Sequence, residues 1–361
     1  MNTHIRYFLP LALLCPFLCS ESVSQPARTA LGNPPPSVFE SPDRDEWQRP
    51  EWVIDQLNLK PTDIVADIGA GSGFFSRPFA RRLTQGKVIA VDVDPEMLSF
   101  LGKKAAESGI TNIESRLIKP DDTPLEPNSV DLIFLSNTLH HISSREAYYP
   151  QLIRALKPGG RIANIDFYKR DLPVGPRDLD HKLAKQAVLN EFQRANLFVS
   201  WDLSGLPYQY YLIATPLPPI PNGLLFDART VTGGRPSSEQ LGRLAELGFK
   251  TVLNLQTEAE GSVAEGKIVK ALGMTYVNIP IASHDIKTDQ ISKFSETLTK
   301  SDNYPMLIHC QSSNRVGGLI LLHEVLNQNI ELASALEAAR RAGLKPSLER
   351  PLLQRITAER E

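Results

Sequence analysis

The run Ile64-Val65-Ala66-Asp67-Ile68 passes directly into Gly69-Ala70-Gly71-Ser72-Gly73, and this junction constrains the fold of the chain more than any other stretch. An apolar run that stops at glycines spaced two apart reads as a buried strand entering a turn. Phe74 to Leu83 then has the apolar spacing of an amphipathic helix. Glycines at such a turn permit positive φ and a close approach of the backbone to a ligand, and the amides that open the next helix can face polar or anionic atoms. A nucleotide-like cofactor suits that geometry. A tight strand-to-helix connection with no ligand has the same local pattern, so the surrounding chain must decide between them.

The surrounding chain alternates strands and helices. Strands are expected at Lys87–Asp92, Ile113–Leu117, Val130–Leu135 and Arg161–Phe167. Helices are expected at Arg44–Leu57, with Trp47 and Trp52 covering the domain edge or packing in the core, at Pro95–Ser108, at Arg145–Leu156 and at Asp180–Arg194. Lys157-Pro158-Gly159-Gly160 reads as a hard turn. The repeated strand-helix order implies a parallel sheet. Leu197–Leu203 and Tyr208–Ile213 are separated by a short Ser204-Gly205-Leu206-Pro207 connection, which makes them antiparallel neighbours.

Taken in this order, Asp67-Ile68-Gly69-Ala70-Gly71-Ser72-Gly73, the acidic end of Val91-Asp92, Asp131 at a strand start and Leu156-Lys157-Pro158-Gly159-Gly160 resemble a class I S-adenosylmethionine-dependent methyltransferase over about residues 44–215. The resemblance implies S-adenosyl-L-methionine as cofactor, with Asp67, Gly69, Gly71 and Gly73 near its methionine end and Asp92 accepting from the ribose hydroxyls. A carboxylate suits a vicinal diol because each oxygen can take one O–H. Asp94 is read as a helix-start residue before Pro95. Asp121 or Asp122 would sit near the adenine, although Lys119-Pro120-Asp121-Asp122 departs from the usual single acidic residue.

Ser136-Asn137-Thr138-Leu139-His140-His141 follows the fourth strand, at the sheet edge where ligands collect in open α/β folds. Asn137 is a candidate for the cofactor and His141 for the substrate. Adjacent histidines on a helix point about 100° apart, so a pocket-lining and structural division of roles is expected in place of a metal half-site. No metal is expected. Methyl transfer to a good nucleophile needs mainly positioning and exclusion of water, so the lack of an evident base leaves the chemistry possible and the small-molecule acceptor unnamed.

Ala214-Thr215-Pro216-Leu217-Pro218-Pro219-Ile220-Pro221 reads as a domain boundary, with residues 216–221 as a stiff linker. Beyond it Ser237 and Gln240 form a capping-box start to a helix reaching Leu247. Thr251–Leu255 and Thr275–Ile279 read as strands and Thr288–Leu298 as a helix. Pro305-Met306-Leu307-Ile308-His309 reads as a buried strand delivering Cys310 into a polar turn before the apolar helix Val316–Val325. Helix-start amides and Arg315 would stabilise a thiolate there, and the same donors would bind phosphate.

With Gly233-Gly234-Arg235-Pro236-Ser237 upstream, residues 222–345 resemble the dual-specificity-type cysteine phosphatases, especially their beta-lactamase-hydrolase-like branch. The resemblance implies Cys310 as nucleophile, Arg315 as the bidentate clamp on phosphoryl oxygens, and Asp285 as general acid with Asp289 as runner-up. His309 would orient the loop. The pattern departs at three points: four residues separate Cys310 from Arg315 where five are usual, Val316 replaces a hydroxyl residue, and Ser313 replaces a glycine. The shorter spacing also resembles sulfurtransferases that carry a persulfide on cysteine, and a non-catalytic phosphate-binding module is a further alternative.

His4 and Arg6 precede an apolar segment from Tyr7 to Cys19, with small residues around Ser22-Val23-Ser24, so residues 1–24 read as a signal peptide and 25–43 as a Pro/Ser-rich linker. An uncleaved membrane anchor is the alternative. Of the three cysteines, Cys15 and Cys19 fall within that signal, which leaves Cys310 without an internal disulfide partner. A net charge of −2 and no run of like charges exclude a surface built mainly for nucleic acid or acidic membranes. The expectation is an exported, periplasmic two-domain α/β enzyme. A Rossmann-like methyltransferase sheet with a terminal antiparallel strand pair (44–215) is followed by a smaller cysteine-phosphatase-like domain (222–361), and a phosphorylated substrate is expected for the second site.

Overall fold

The computed structural model describes residues 32, 34–123, 125–282 and 285–360. The expected signal peptide and the first part of the expected linker lie outside these residues. The first sheet contains β1 (Ile64–Ile68), β2 (Lys87–Asp92), β3 (Ile113–Leu117), β4 (Val130–Ser136), β5 (Leu156–Phe167), β6 (Leu197–Leu203) and β7 (Gln209–Pro216). Its seven strands run in the order β3-β2-β1-β4-β5-β7-β6. β1 to β5 are parallel, while β7 is antiparallel to both β5 and β6.

β1 lies between β2 and β4, so the connections that follow β1 and β4 run in opposite directions and open a crevice at their C-terminal ends. The central strands are apolar on both faces because helices cover both. Ala66, Ile89, Ile133 and Leu135 pack on one side, and Val65, Val88, Ala90, Leu132 and Phe134 on the other. Each of the larger side chains among these contributes roughly 1.5–3 kcal/mol of burial. The helices of this half are α1 (Asp43–Gln48), α2 (Pro50–Asp55), α3 (Ser76–Arg82), α4 (Pro95–Glu107), α5 (Arg145–Ala155) and α6 (Lys185–Arg194).

Several expected boundaries move for local reasons. The helix expected over 44–57 is broken at Arg49, which adopts φ 49 before Pro50, because a residue preceding proline is disfavoured in helical conformation. The helix expected from Asp180 starts only at Lys185. Leu179–His181 is instead a 3-10 turn whose amide at Asp180 is taken by the Asp178 carboxylate, a local bond that competes with a helix start. The Lys157–Gly160 turn lies within β5, whose register on β4 shifts from Val130↔Leu156 to Leu132↔Arg161, a bulge made possible by Gly159 at φ 82.

The second sheet has five strands in the order β11-β10-β12-β9-β8. They are β8 (Leu224–Asp227), β9 (Thr230–Gly233), β10 (Thr251–Asn254), β11 (Thr275–Asn278) and β12 (Met306–His309). The helices are α7 (Ser238–Glu246), α8 (Ser262–Ala271), α9 (Thr288–Thr299), α10 (Asn314–Leu322), α11 (Leu332–Arg341) and α12 (Pro346–Arg360). The expected capping box is present, with Ser237 and Gln240 exchanging side-chain and backbone bonds. Among the described residues, no helix is long and apolar enough to cross a membrane.

The proline-rich stretch 216–221 is a seam more than a spacer. Ile220 enters an apolar cluster that joins Phe198 of β6 to Leu225, Leu241 and Phe249 of the second half. Phe198 and Phe249 lie 5.1 Å apart by ring centroids. Gln193 Nε2 donates to the carbonyls of Leu225 and Phe226 at 3.2 and 2.5 Å, and Asn196 Oδ1 accepts from Leu225 N–H at 3.0 Å. Because Phe198 is buried across this seam, Phe198→Ala is expected to lower stability by about 3 kcal/mol. In chemical denaturation the loss should reach both halves together. A loss confined to one half would show that the seam does not couple them.

Candidate functional site

The crevice at the end of β1 holds a cavity of about 380 Å³ lined by Gly69, Gly71, Asp92, Asp121, Asn137, Thr138 and His141, among others. That size falls within the range of small-molecule and cofactor sites. Gly71 has φ +54, and the space where a Cβ would stand is open. Any side chain there would be strained and would fill the cavity. A Cβ on Gly69 would collide with Thr138 and one on Gly73 with Leu101, so the third glycine serves the packing of α4 and does not line the cavity.

Asp92 forms the centre of the polar wall. Its Oδ2 accepts the Gly71 amide at 2.7 Å and its Oδ1 the Asp94 amide at 2.9 Å. Burial raises its pKa, while those backbone donors oppose the rise. Each carboxylate oxygen keeps acceptor capacity toward the cavity. Asp94 caps α4 by accepting from Glu96 N–H, as the sequence suggests.

Asp67 differs from the expectation. It is buried behind the glycine turn, outside the cavity lining, and accepts the Ser76 hydroxyl at 2.6 Å. It therefore braces the turn to α3 and has no exposed surface to offer a ligand. Asp121, at φ 61, lines the cavity and accepts both the amide and the hydroxyl of Ser143, which ties the loop after β3 to the loop after β4. Asp122 also lines the cavity and accepts from Thr123 N–H at 2.9 Å. Asn137, at φ 56, receives the Gln209 side-chain amide on its Oδ1 at 2.6 Å.

The two histidines divide their roles. His140 is buried, with Nδ1 3.1 Å from both carboxylate oxygens of Asp166. His141 stacks on it at 4.1 Å and faces the cavity. Burial, and then the neighbouring His140, push the His141 pKa down to about 4. Among the described residues there is no group of three or more side chains able to hold a metal ion.

Sequence reasoning missed the N-terminal cover. Residues 36–40, expected to be linker, form a 3-10 turn in which Glu40 accepts from the Ser72 hydroxyl and Arg77 guanidinium, both at 2.5 Å. Phe39 and Arg44 then line the cavity. Arg44 donates to Gln48 Oε1 and the Phe39 carbonyl, each at 2.6 Å, and lies 3.9 Å from the Phe74 ring centroid. Burial lowers its pKa to about 10, which leaves it cationic at neutral pH. Its only sequence signal was a place beside Trp47 on a helix next to the glycine turn. Trp47 packs at the edge on Phe167, and Trp52 packs toward the core on Tyr211.

In the second half Cys310 is buried at the end of β12, with its amide on the Gly233 carbonyl at 3.3 Å. The loop leads directly into α10, whose first-turn amides have no acceptor inside the helix. Arg315 gives Nη1 and Nη2 to the two carboxylate oxygens of Glu260 at 2.9 and 2.6 Å, and Nη1 also reaches the carbonyls of Leu255 and Ile281. These bonds occupy the end of the guanidinium fork. The Cys310 thiol is a further neighbour of the guanidinium, and a planar guanidinium beside a helix start suits a bidentate oxyanion. The Arg315 bonds pull the Glu260 pKa down to about 2, and Glu260 together with Cys310 raises that of Arg315.

Ser313 retains the left-handed backbone usual for the glycine it replaces, at φ 69, and its hydroxyl donates to the Ala342 carbonyl at 2.7 Å. His309 shares a 2.7 Å hydrogen bond through Nε2 with Glu265, and its Nδ1 lies 3.4 Å from the Cys310 carbonyl. Asp285 is exposed and ion-paired with Lys287, and exposed Asp289 lies 3.6 Å from Lys293. No contact among the described residues joins either aspartate to Cys310 or Arg315.

Comparison with known proteins agrees with both halves. Residues 65–160 match the family model "Methyltransferase domain", and residues 224–345 match "DSP-PTPase phosphatase fused to NAD+ Kinase". A methyltransferase-like protein of Schizosaccharomyces pombe is 33% identical over 157 residues, covering 43% of this chain and 56% of that protein. A ubiquinone/menaquinone biosynthesis C-methyltransferase of Hydrogenovibrio crunogenus is 25% identical over 130 residues, covering 36% and 50%. The chain thus spans about half the length of these relatives. A SAM-dependent methyltransferase structure from Aquifex aeolicus aligns with a TM-score of 0.48 at 28% identity, covering 50% of this chain and 95% of that one. Residues 65–160 are thus similar to methyltransferase domains and residues 224–345 to a phosphatase domain of the dual-specificity kind, each match falling on its own sheet.

Burial raises the folded Asp67 carboxyl to about 7 from the ordinary 3.8. Between those values the folded state keeps a proton that the unfolded chain has lost. The stability contributed by this group is therefore fully present below pH 3.8 and is lost as pH rises through 7. Asp67→Asn, which stays neutral, should gain stability relative to the wild type between about pH 5 and pH 8, read as urea midpoints. A pH-independent difference would contradict this assignment.

Proposed function

We propose that the first half transfers the methyl group of S-adenosylmethionine to a small acceptor and that the second half acts on phosphomonoesters through Cys310. The observation that carries the first reading is the Asp92 carboxylate, fixed by the Gly71 and Asp94 amides on the wall of a cavity at the sheet's switch point. Its free acceptor positions suit the two ribose hydroxyls. Gly69 and Gly71 allow the backbone to approach the methionine portion, and the Arg44 cation suits its carboxylate. Met97, Ile118 and Tyr148 give apolar surface for the adenine beside Asp121 and Asp122.

When bound, the cofactor supplies an electrophilic methyl group on a sulfonium. Asn137 and His141 then line the approach of the acceptor. His141 lies at the cavity beside His140, and partial desolvation together with that neighbour holds its pKa below the ordinary imidazole value, so it is neutral at pH 7. An acceptor that is already nucleophilic needs from the protein only position and exclusion of water.

For the second half, the loop resembles that of dual-specificity-type phosphatases of the beta-lactamase-hydrolase-like branch. The Cys310 thiolate would attack phosphorus while the ester P–O bond breaks, the alcohol leaves with a proton, and water then releases phosphate from sulfur. Arg315 would hold two phosphoryl oxygens. Asp285 or Asp289 could protonate the alcohol only after leaving its lysine. Sulfur transfer is the second reading, favoured by the four-residue Cys310–Arg315 spacing. Export, to the periplasm or by an uncleaved anchor, rests on the Tyr7–Cys19 segment and would require a supply of S-adenosylmethionine outside the cytosol.

Titration calorimetry with S-adenosylhomocysteine tests the first reading. Binding is expected in the wild type, weakened about 100-fold or more in Asp92→Ala through loss of charge-assisted bonds and about tenfold in Arg44→Ala. No heat in the wild type would overturn it. For the second half, phosphate release from an aryl phosphate and thiosulfate-to-cyanide transfer should be measured side by side. Phosphate release abolished in Cys310→Ser is expected, and release surviving that change would reject Cys310 as nucleophile.

A further inference from the structure

Arg315, the cation nearest Cys310, is already balanced by Glu260. A second cation stands at the same loop without such a partner. The Arg235 amide donates to the Gln311 carbonyl, one residue beyond Cys310, at 3.4 Å. Its guanidinium lies over Gly261, where a Cβ would come within 2.9 Å of Nη2. Gly261, at φ +96, directly follows Glu260, so the Arg235 head group is one residue removed from the carboxylate that holds Arg315. Arg235 is exposed, and its guanidinium forms no hydrogen bond or ion pair among the described residues.

The same edge of the loop carries a buried polar atom awaiting a donor. Gln256, 1% exposed, gives Nε2 to Gln311 Oε1 at 2.9 Å, and its own Oε1 has no partner. A buried carboxamide oxygen without a donor is destabilising. An O–H on a ligand seated at the loop would relieve that cost. β9 brings Arg235, β10 brings Gln256 and β12 brings Cys310 to neighbouring strand ends, since β12 pairs with both β9 and β10.

Resting on the phosphate-directed reading of the Cys310 loop, we infer that Arg235 and Gln256 form a subsite for the alcohol portion of the ester, and that this portion bears hydroxyls and a second anionic group. Arg315 and the loop amides hold the phosphoryl group. Arg235 supplies the uncompensated charge that selects a doubly anionic, polyhydroxylated phosphomonoester over a singly anionic one.

The test uses the full chain carrying Cys310→Ser, with calorimetric binding of fructose 1,6-bisphosphate and fructose 6-phosphate at low salt. These probes share their hydroxyls and differ by one phosphoryl group. The bisphosphate is expected to bind roughly fivefold more tightly, the size of one exposed charge pair. Arg235→Ala should bring the ratio to about one, and Arg235→Lys should keep part of the preference. A preference unchanged in Arg235→Ala, equal affinities in the parent, or no binding of either sugar would overturn the subsite. Phosphate release by the wild type is measured on the same two esters. Preferential binding without release would leave the subsite standing and remove the hydrolytic reading instead.

Discussion

The hydrogen bond from the Gly71 amide to Asp92 is the contact on which the first half of the molecule depends. It fastens the turn after β1 to the end of β2, at the point where the sheet order reverses. A glycine amide without that acceptor would be one more unsatisfied group at the turn, and the carboxylate would keep only the donors that follow it in its own chain segment, the Asp94 amide among them. Joined, they form a polar wall for the cavity. The turn is braced from behind by Ser76 on Asp67 and from in front by Glu40 on Ser72 and Arg77.

The second half uses the same physical device with different chemistry. β12 ends at Cys310, and α10 begins behind it with its free amides. The backbone turn that glycine usually makes is made by Ser313, held by its bond to the Ala342 carbonyl. Glu260 takes one end of Arg315, beside the Cys310 thiol. The two sites belong to sheets joined through Phe198, Ile220 and Phe249, so the boundary carries apolar contacts that a flexible linker would lack.

Much of this was legible in the residues because strands buried on both faces must be continuous apolar runs. β1 and β2 fall where that apolar pattern places them, and the edge strands β3 and β6, which are only partly apolar, also keep their expected bounds. Asp92, Gly69, Gly71, Asp121, Asn137 and His141 do meet at one cavity. The remainder depends on distance in space. Asp67 has the composition of a ligand contact and the burial of a brace, a difference set by the direction of its side chain in β1. Arg44 and Glu40 act across more than twenty residues, and nothing in their local spacing announces it. The β8–β9 hairpin was not anticipated. Asp285 and Asp289 carry the acidic chemistry expected of them but pair with nearby lysines, which sequence order alone permits and does not require.

The central claim is that the Asp92-pinned glycine turn holds S-adenosylmethionine. Its most direct test is a crystal structure of the full chain grown with S-adenosylhomocysteine. The ribose hydroxyls are expected on the Asp92 carboxylate and the amino-acid carboxylate beside Arg44. A ligand bound elsewhere, or a glycine turn still empty at saturating ligand, would contradict it.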